Sequence, residues 1–505
     1  MAFIMKRLWK TFLGIAHIFS ADEPASPPAA PALLSQLRRD FSGCADFSCQ
    51  SVRHGGIPLA LCWVEGLASG EQIARDVLRP LRQLPMDSAD AAQLMLRLSQ
   101  GGIWAVAPQY RTDAAQLGQD LLQGRCALLC GKGALSFDVN GQVKRGVQDP
   151  KLERAVLGPR DSFTETYRVN TALVRQRLRS SEMKIREFTV GRRSRTRVGL
   201  LYLDGIAREE TVEALAGQLE TLCIDGVTAI GDLESYLAPA VRGAFPQFLC
   251  TERPDRFSRF LLQGRVGILC DGLPLGLCAP CSLPELLRVA EDRAQHALVS
   301  SALLLLRYAA LLLSLLAPAL YAAVAMYHPE MIPVELLQSI IAAKQFVPFS
   351  TAAELLGMLA AFELLQEAGL RLPEAAGTTV SIIGTLIVGQ SAVEARVISP
   401  IAVIVVALSG IAGYTLPNQQ LGSAIRLWRF LLVLCAVAMG MFGFMAGVTV
   451  LLWRLCGMEC VGVSYLYPLT DGERHGLLRG LLHFPISMNA HRSPALCGEE
   501  QRRQA

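Results

Sequence analysis

The sequence predicts an α/β two-lobed soluble N-terminal domain, built from a duplicated unit, followed by an all-α polytopic membrane domain. Three observations carry that reading. Apolar residues make up 51% of the 505 and charged residues only 18%, and the charges are sparse between Ala297 and Trp453. The first 290 residues and the last fifty have an ordinary soluble composition. Within the front part, two patterns recur about 140 residues apart.

The chain opens on "MAFIMKRLWKTFLGIAHIFS", in which Ile4, Leu8, Phe12, Ile15 and Phe19 share one helical face. An amphipathic helix on a membrane or partner fits that spacing, and a signal peptide is the competing reading. A Pro-Ala linker follows, so residues 1–32 are set apart from a first lobe over 33–182 and a second over 183–290.

The duplication is visible in "IPLALCWVEGL" (57–67) against "TRVGLLYLDGI" (196–206). Each is an apolar strand closing on an acidic residue and Gly, at Glu65-Gly66 and Asp204-Gly205. Two copies of "LLQGR", at 121–125 and 261–265, each precede a buried-looking strand. Two matches at one offset predict a repeated unit of strand, helix, strand, helix and hairpin. Asp271-Gly272 predicts a tight two-residue hairpin turn in the second copy. Pro254 predicts the first turn of a helix that buries Phe257, Leu261 and Leu262.

Neither lobe carries a phosphate-binding Gly loop, a nucleophile elbow or paired carboxylates at useful spacing, so no catalytic residue is assigned. Of fourteen cysteines, only Cys278 and Cys281 form a C-x-x-C. With no second pair to complete a zinc site, they read as isolated thiols at a strand end, and no metal or cofactor is expected. Scattered cysteines favour a reducing compartment. A net charge of +4 gives no case for nucleic acid. Residues 151–197 hold thirteen Lys or Arg, among them Arg192, Arg193, Arg195 and Arg197. That segment reads as a solvated face, or as a basic interface for anionic lipid headgroups or an acidic neighbour.

The membrane domain is placed at 297–456. Tyr308–Met326, Val397–Leu416 and Leu431–Trp453 are long enough to span, and a shorter fourth run covers 378–393 and includes Gln390. Residues 334–370 carry Glu354, Glu363 and Glu367, too many carboxylates for a lipid-exposed span, and read as re-entrant or interfacial helices. Arg307 reads as snorkelling at the entry of the first span. Between spans, "YHPEMIPVELLQSII" (327–341) breaks a helix at Pro329 and Pro333. His328, Glu330 and Glu335 then serve a helix turn or an ion pathway, as do Gln390, Glu394 and Arg396 further on. Gly443 and Gly447, beside Gly440, form a G-x-x-x-G for close helix packing, with a lipid-facing kink as the alternative. Arg288 and Arg293 before the first span, and a Lys- and Arg-free 327–343 after it, put the soluble domain inside. Basic residues of the tail (457–505) put that inside too, which needs an even number of spans; four plus a re-entrant pair fits, with five or six spans as the alternatives.

Several longer motifs occur in a fixed order. They are "GPRDSFTETYRVNTALVRQRLRS" (158–180), "TVGRRSRTRV", "LLYLDGIA", "TERPDRFSRFLLQGRVGILCDG", "HPEMIP", "VGQSAVEARVISP" and "VSYLYPL". From about residue 40 to 490 the chain resembles the GerA family, the A subunits of nutrient germinant receptors of spore-forming bacteria. A sporulation paralogue of the SpoVAF type shares most of these motifs. Ser464 before Tyr465, Cys278 and Cys281, and the tail around Met488 to Ser493 depart from the family pattern.

The resemblance implies a multi-pass protein of the spore inner membrane, acting with receptor B and C subunits; the charge asymmetry around the first span is what puts its soluble domain on the cytoplasmic side. It implies two lobes similar to solute-binding proteins, nutrient binding by the B subunit, and A subunits that oligomerise into a ring conducting monovalent cations. His328 to Pro333, Gly389 to Arg396 and the basic stretch Arg192 to Arg197 are the positions it carries over. A two-lobed small-molecule sensor, or a SpoVAF-like accessory membrane protein of germination, is the alternative role.

Overall fold

The computed structural model describes residues 31–84, 91–102, 108–131, 133–141, 150, 153, 158–238, 244–371, 390–470, 476–485, 488, 491–498 and 502. The expected N-terminal amphipathic helix and most of the short run 378–393 lie outside them. The chain divides into two compact units. The first runs to Arg145 and takes back Thr171–Ile185; the second holds Gly146–Asn170 and Arg186 onward.

In the first unit, α1 (Pro31–Asp40) precedes a hairpin of β1 (Phe47–His54) and β2 (Ile57–Val64). Helical stretches at 70–83 and 91–102 lead to β3 (Gln109–Arg111), α2 (Ala114–Leu122) and the hairpin β4 (Arg125–Cys130), β5 (Gly133–Asp138). The strand order is β1-β2-β4-β5-β3 and every pair is antiparallel. Alternate residues feed two cores. Ala60, Cys62, Ala127 and Leu129 pack under α1 and α2, while Leu59, Leu61, Cys126 and Leu128 pack against the stretches at 70–83 and 91–98. Both faces are covered, which is why β2 and β4 read as unbroken apolar runs rather than alternating ones.

The helix α3 (Tyr167–Arg177) leads from one unit to the other. β6 (Met183–Val190) passes into the second unit at Arg186, where β7 (Thr196–Leu203), α4 (Glu209–Thr221), α5 (Ile230–Leu237), β8 (Leu249–Thr251), α6 (Pro254–Leu262), β9 (Val266–Cys270) and β10 (Gly276–Ala279) follow in turn. Its sheet order, β6-β7-β9-β10-β8, is that of the first with five added to each number. The LLQGR glycines share a conformation too, with φ of 87° at Gly124 and 89° at Gly264.

Three expectations about the lobes need correction. Each repeat opens with an additional strand, β1 or β6. No residue of β1 is fully buried, and β6 sets Lys184, Arg186, Glu187 and Thr189 among its buried Met183, Ile185 and Val190, so both lack the unbroken apolar signature of their neighbours. The second hairpin is closed by residues 271–275 rather than by two residues, because Gly276 pairs with Leu269. Asp271 is instead held by other partners: its N–H bonds the Arg197 carbonyl and its carboxylate accepts from the Tyr167 N–H at the start of α3. Finally, Phe257, Phe260 and Leu261 are buried on α6, while Leu262 is exposed. Gly267 and Gly276 leave the room that the Phe257 ring occupies.

Beyond the second sheet come α7 (Ala297–Tyr327), α8 (Val334–Lys344), α9 (Thr351–Arg371), α10 (Pro400–Tyr414) and the helical segment α11 (Gln419–Cys456), then the short hairpin β11 (Glu459–Cys460), β12 (Val463–Ser464). Among the described residues, α7 and α11 have the length and apolarity to cross a membrane. Their surfaces carry exposed Leu298, Leu306, Leu312, Phe442, Leu452 and Trp453.

The third expected span, Leu431–Trp453, is not one helix. Gly440 has φ 61° and ψ −139°, outside the helical region. A Cβ on Gly447 would lie 2.7 Å from Leu432 Cδ2, and one on Gly443 would fall on the Cys435 carbonyl oxygen. In a straight helix, 15 residues separate positions by about 22 Å along the axis. The chain therefore reverses at Gly440, and α11 is two antiparallel arms, 419–439 and 441–456. The expected span 397–416 is also shorter, because Arg396 sits at φ 55° and α10 starts only at Pro400, capped by Ser399.

Candidate functional site

The helical block has a near end, tied to the second sheet domain, and a far end. At the near end Arg307 does not snorkel. Its guanidinium grips Asp292 at 2.7 and 2.9 Å and bonds the Leu287 carbonyl. Gln420, at the start of α11, donates to Glu234 of α5 at 2.9 Å, and Phe245 stacks on Trp428. Just before α7, buried Glu285 accepts from Arg259 at 2.7 Å and Arg288 at 3.3 Å, with Arg265 at 3.9 Å. Burial raises the proton affinity of Glu285, but these guanidiniums, Arg288 foremost, outweigh it and hold the carboxyl far below the ordinary range. Burial likewise lowers Arg259 to about 10.

Halfway along, a polar chain crosses the apolar helices. Pro318 has no N–H, so the Ser314 carbonyl one turn earlier loses its helical partner. Ser409 Oγ of α10 fills that vacancy at 2.8 Å and accepts in turn from Arg429 Nη1 at 3.1 Å. Arg429 also pairs with Glu363 of α9, which Arg426 reaches at 3.2 Å. Glu354, 2% exposed, accepts from both the N–H (3.0 Å) and hydroxyl (2.7 Å) of Ser399. There its charge meets the positive N-terminus of α10. Two of the three carboxylates that spoke against a lipid-exposed span in 334–370, Glu354 and Glu363, are thus matched within the block. Sequence spacing could not show this, because the partners lie 45 to 66 residues away.

At the far end, Tyr327 closes α7. Its hydroxyl donates to the Val437 carbonyl at 2.6 Å, and its ring fills the space that a Cβ on Gly440 would need. Val437 lies in the last turn before the reversal, where carbonyls lack helical partners. His328 Nδ1 meets Glu330 Oε1 at 3.1 Å, and the Glu330 side chain is 69% exposed. Backbone and His328 hydrogen bonds lower its proton affinity. Glu335, in the first turn of α8, is exposed.

Gln390 donates to Glu394 at 3.0 Å, and both are exposed. Arg396 lies over the Phe346 ring at 4.4 Å. The chain turns between Tyr414 and Gln419 at the near end, so the start of α10 and the residues before it stand at the far end with His328. The structure thus brings His328, Glu330, Gln390, Glu394 and Arg396 to one end of the block, in two separate groups. Gly443 and Gly447 pack against the partner arm of α11.

The basic stretch forms the β6–β7 connection. Its N–H groups at Arg192 and Arg193 bond the carbonyls of Ile224 and Asp225, and Arg195 adopts φ 46°. The side chains of Arg192, Arg193, Arg195 and Arg197 are exposed, with Arg193 3.9 Å from Asp225. In the second unit a cavity of about 560 Å³ opens between α4, α5 and the β11–β12 hairpin, lined by Arg208, Glu210, Gln218, Gln247 and Glu459. Cys278 and Cys281 are buried, and burial raises both thiols, Cys281 to about 12. Among the described residues, no three His, Cys, Asp or Glu gather to hold a metal.

Residues 35–495 match the family described as Bacillus/Clostridium GerA spore germination protein. The chain is 34% identical over 457 residues to the uncharacterized membrane protein YfkQ of Bacillus subtilis (strain 168), covering 90% of this chain and 88% of that one. It is 30% identical over 486 residues to spore germination protein KA of the same strain, covering 94% and 88%. Spore germination protein XA of Bacillus anthracis is 31% identical over 480 residues, with 93% and 96% covered. Among solved structures, the N-terminal domain of the A subunit of the Bacillus megaterium spore germinant receptor GerK3 matches 51% of this chain and 98% of that chain, at 22% identity and a TM-score of 0.39.

Proposed function

Because the chain belongs to the GerA family of spore germination proteins, we propose that it is the A subunit of a nutrient germinant receptor, seated in the spore inner membrane and conducting ions as an oligomer. The exposed apolar surface of α7 and α11 is what a bilayer would cover. We read α7, α9, α10 and the two arms of α11 as five passes. We take the tail to lie on the side of the lobes, the cytoplasmic one. The matched Glu354 and Glu363 support taking α9 as a full pass, beside the reading of four spans plus a re-entrant pair.

One contrast carries the conduction reading. Glu354 and Glu363 are consumed inside the block, while Glu330, Glu335 and Glu394 are exposed at its far end. Carboxylates at such a position face water, a pore or a neighbouring subunit. In the assembled receptor, with its B and C subunits, the B subunit binds the nutrient, and several copies of this chain place these carboxylates around a shared path for monovalent cations. The exposed Arg192, Arg193, Arg195 and Arg197 form a contact surface of the lobe, and Gly440, Gly443 and Gly447 hold the pore-side hairpin together. The test replaces Glu330 and Glu394, singly, by Ala and follows monovalent-cation release from spores given nutrient. A slower release is expected; unchanged release at normal protein level for both removes them from the path.

A second reading, a small-molecule sensor, rests on the cavity beside α4 and the β11–β12 hairpin, where Gln218 Oε1 is buried without a partner. Thermal shift of the full chain against a nutrient panel checks it, and no shift would count against it.

A further inference from the structure

The first lobe holds a thiol pair that the receptor reading does not use. β1 and β2 are joined by Gly55 and Gly56, with φ of 55° and 85°, as a two-residue type I′ turn requires. His54 and Ile57 flank that turn as a hydrogen-bonded pair, and the two classes of pair alternate outward. Cys49 faces Cys62 five steps out, in the non-hydrogen-bonded class, where Cα atoms approach to about 4.5 Å and side chains share a face. Pro58 agrees with the count: it faces Arg53 in the same class, where no N–H is sent to the partner strand. A Cα separation of about 4.5 Å lies within the range that a disulfide accepts.

The side chains complete the arrangement. Cys62 Sγ lies 3.1 Å from Cys49 Sγ. Cys62 is buried in the core under α1, while Cys49 is half-buried and reachable from solvent. The Cys62 S–H and the nearby Arg38 guanidinium, from the last turn of α1, both favour the Cys49 thiolate and hold that thiol below its ordinary value. The other thiols of this lobe are placed differently: Cys44 donates to the Met183 carbonyl, and Cys126 and Cys130 belong to the core on the opposite face of the sheet.

We propose that Cys49 and Cys62 form a reversible dithiol–disulfide site, oxidised by a small hydroperoxide. The Cys49 thiolate attacks a peroxide oxygen and the O–O bond breaks. Cys49 becomes a sulfenic acid, and the departing oxygen leaves as water or alcohol after taking a proton. Cys62 sulfur then attacks Cys49 sulfur, the S–O bond breaks, and hydroxide leaves with the Cys62 proton as water. The two thiols lose two electrons and the peroxide gains them; a dithiol reductant reverses the bond by exchange. The product ties the edge strand β1 to β2 across their hairpin.

The test uses membranes holding the full-length chain, treated with hydrogen peroxide, capped with N-ethylmaleimide and digested with trypsin. Peptides 40–53 and 54–75 should appear joined, less two hydrogens, with fragment ions placing the bond at Cys49 and Cys62. Dithiothreitol should release them, and Cys49→Ser or Cys62→Ser should abolish the link. The oxidised wild-type chain should melt about 5 °C or more above the reduced one. The proposal is overturned if peroxide leaves both thiols as open to maleimide as before, or if Cys49 joins Cys44 or a small thiol instead.

Discussion

Ser409 donates its hydroxyl at 2.8 Å to the Ser314 carbonyl, the acceptor that Pro318 leaves without a helical partner. The bond repairs a defect in α7 from another helix and anchors the polar chain through Arg429 to Glu363. Ser409→Ala should therefore cost about 1–2 kcal/mol, by stranding the carbonyl and one guanidinium N–H. Pro318→Ala restores the amide that the carbonyl lacks, so the two changes together should cost less than their sum. Thermal melts of the four detergent-solubilised proteins measure that coupling, and strict additivity would contradict it.

Gly440 gives a second prediction, since a side chain there meets both a left-handed backbone and the Tyr327 ring. Gly440→Ala should destabilise the chain by about 2–3 kcal/mol, combining about 1–2 for positive φ with the clash at 2.9 Å from Tyr327 Cγ. Tyr327→Phe removes only the bond to the Val437 carbonyl and should cost about 1 kcal/mol. Protein level in membranes and melting temperature should both rank wild type, Tyr327→Phe, then Gly440→Ala.

The cluster around Glu285 makes stability depend on pH in a stated direction. Its carboxyl is held below the ordinary value near 4.3 by Arg288, Arg259 and Arg265. A depressed carboxylate contributes stability that is complete above the unfolded-state pKa and is lost as pH falls through the folded one. The advantage of wild type over Glu285→Gln should thus be constant from pH 7 to about 5 and shrink below about 4.3. An advantage that grows on acidification would refute the assignment.

In the first unit, Arg175 is fully buried and bidentate to Asp46 at 3.0 and 2.8 Å, with further bonds to the Ser180 and Met183 carbonyls. Asp46→Ala leaves that guanidinium buried without its counter-charge and should cost about 3–5 kcal/mol. Asp46→Ala with Arg175→Met should recover part of the loss in a thermal melt.

Much of the fold was legible in particular residues. Glu65-Gly66 and Asp204-Gly205 mark equivalent strand ends, with φ of 85° and 75° at the glycines. The edge strands β1 and β6 were not legible, because β1 buries none of its residues fully and β6 mixes charged with apolar residues, so neither stands out from a loop. Of the far-end groups, the residue types and their order were readable, whereas their gathering at one end depends on helix directions. Arg429, Ser409 and Arg426 were missed altogether. A lone Arg or Ser in an apolar helix has no local pattern, and only the excess of carboxylates in α9 could have pointed to cations nearby.

The sequence by itself determined the doubled α/β unit, the apolar block behind it and the family, since all three are written in local order and composition. The tertiary structure alone decided that a 38-residue apolar stretch turns back on itself at Gly440, and which carboxylates are spent inside the bundle. The physical reason is range. Hydropathy and periodicity describe what a segment needs to bury, while a reversal or an ion pair is settled by what stands across from it, dozens of residues away along the chain.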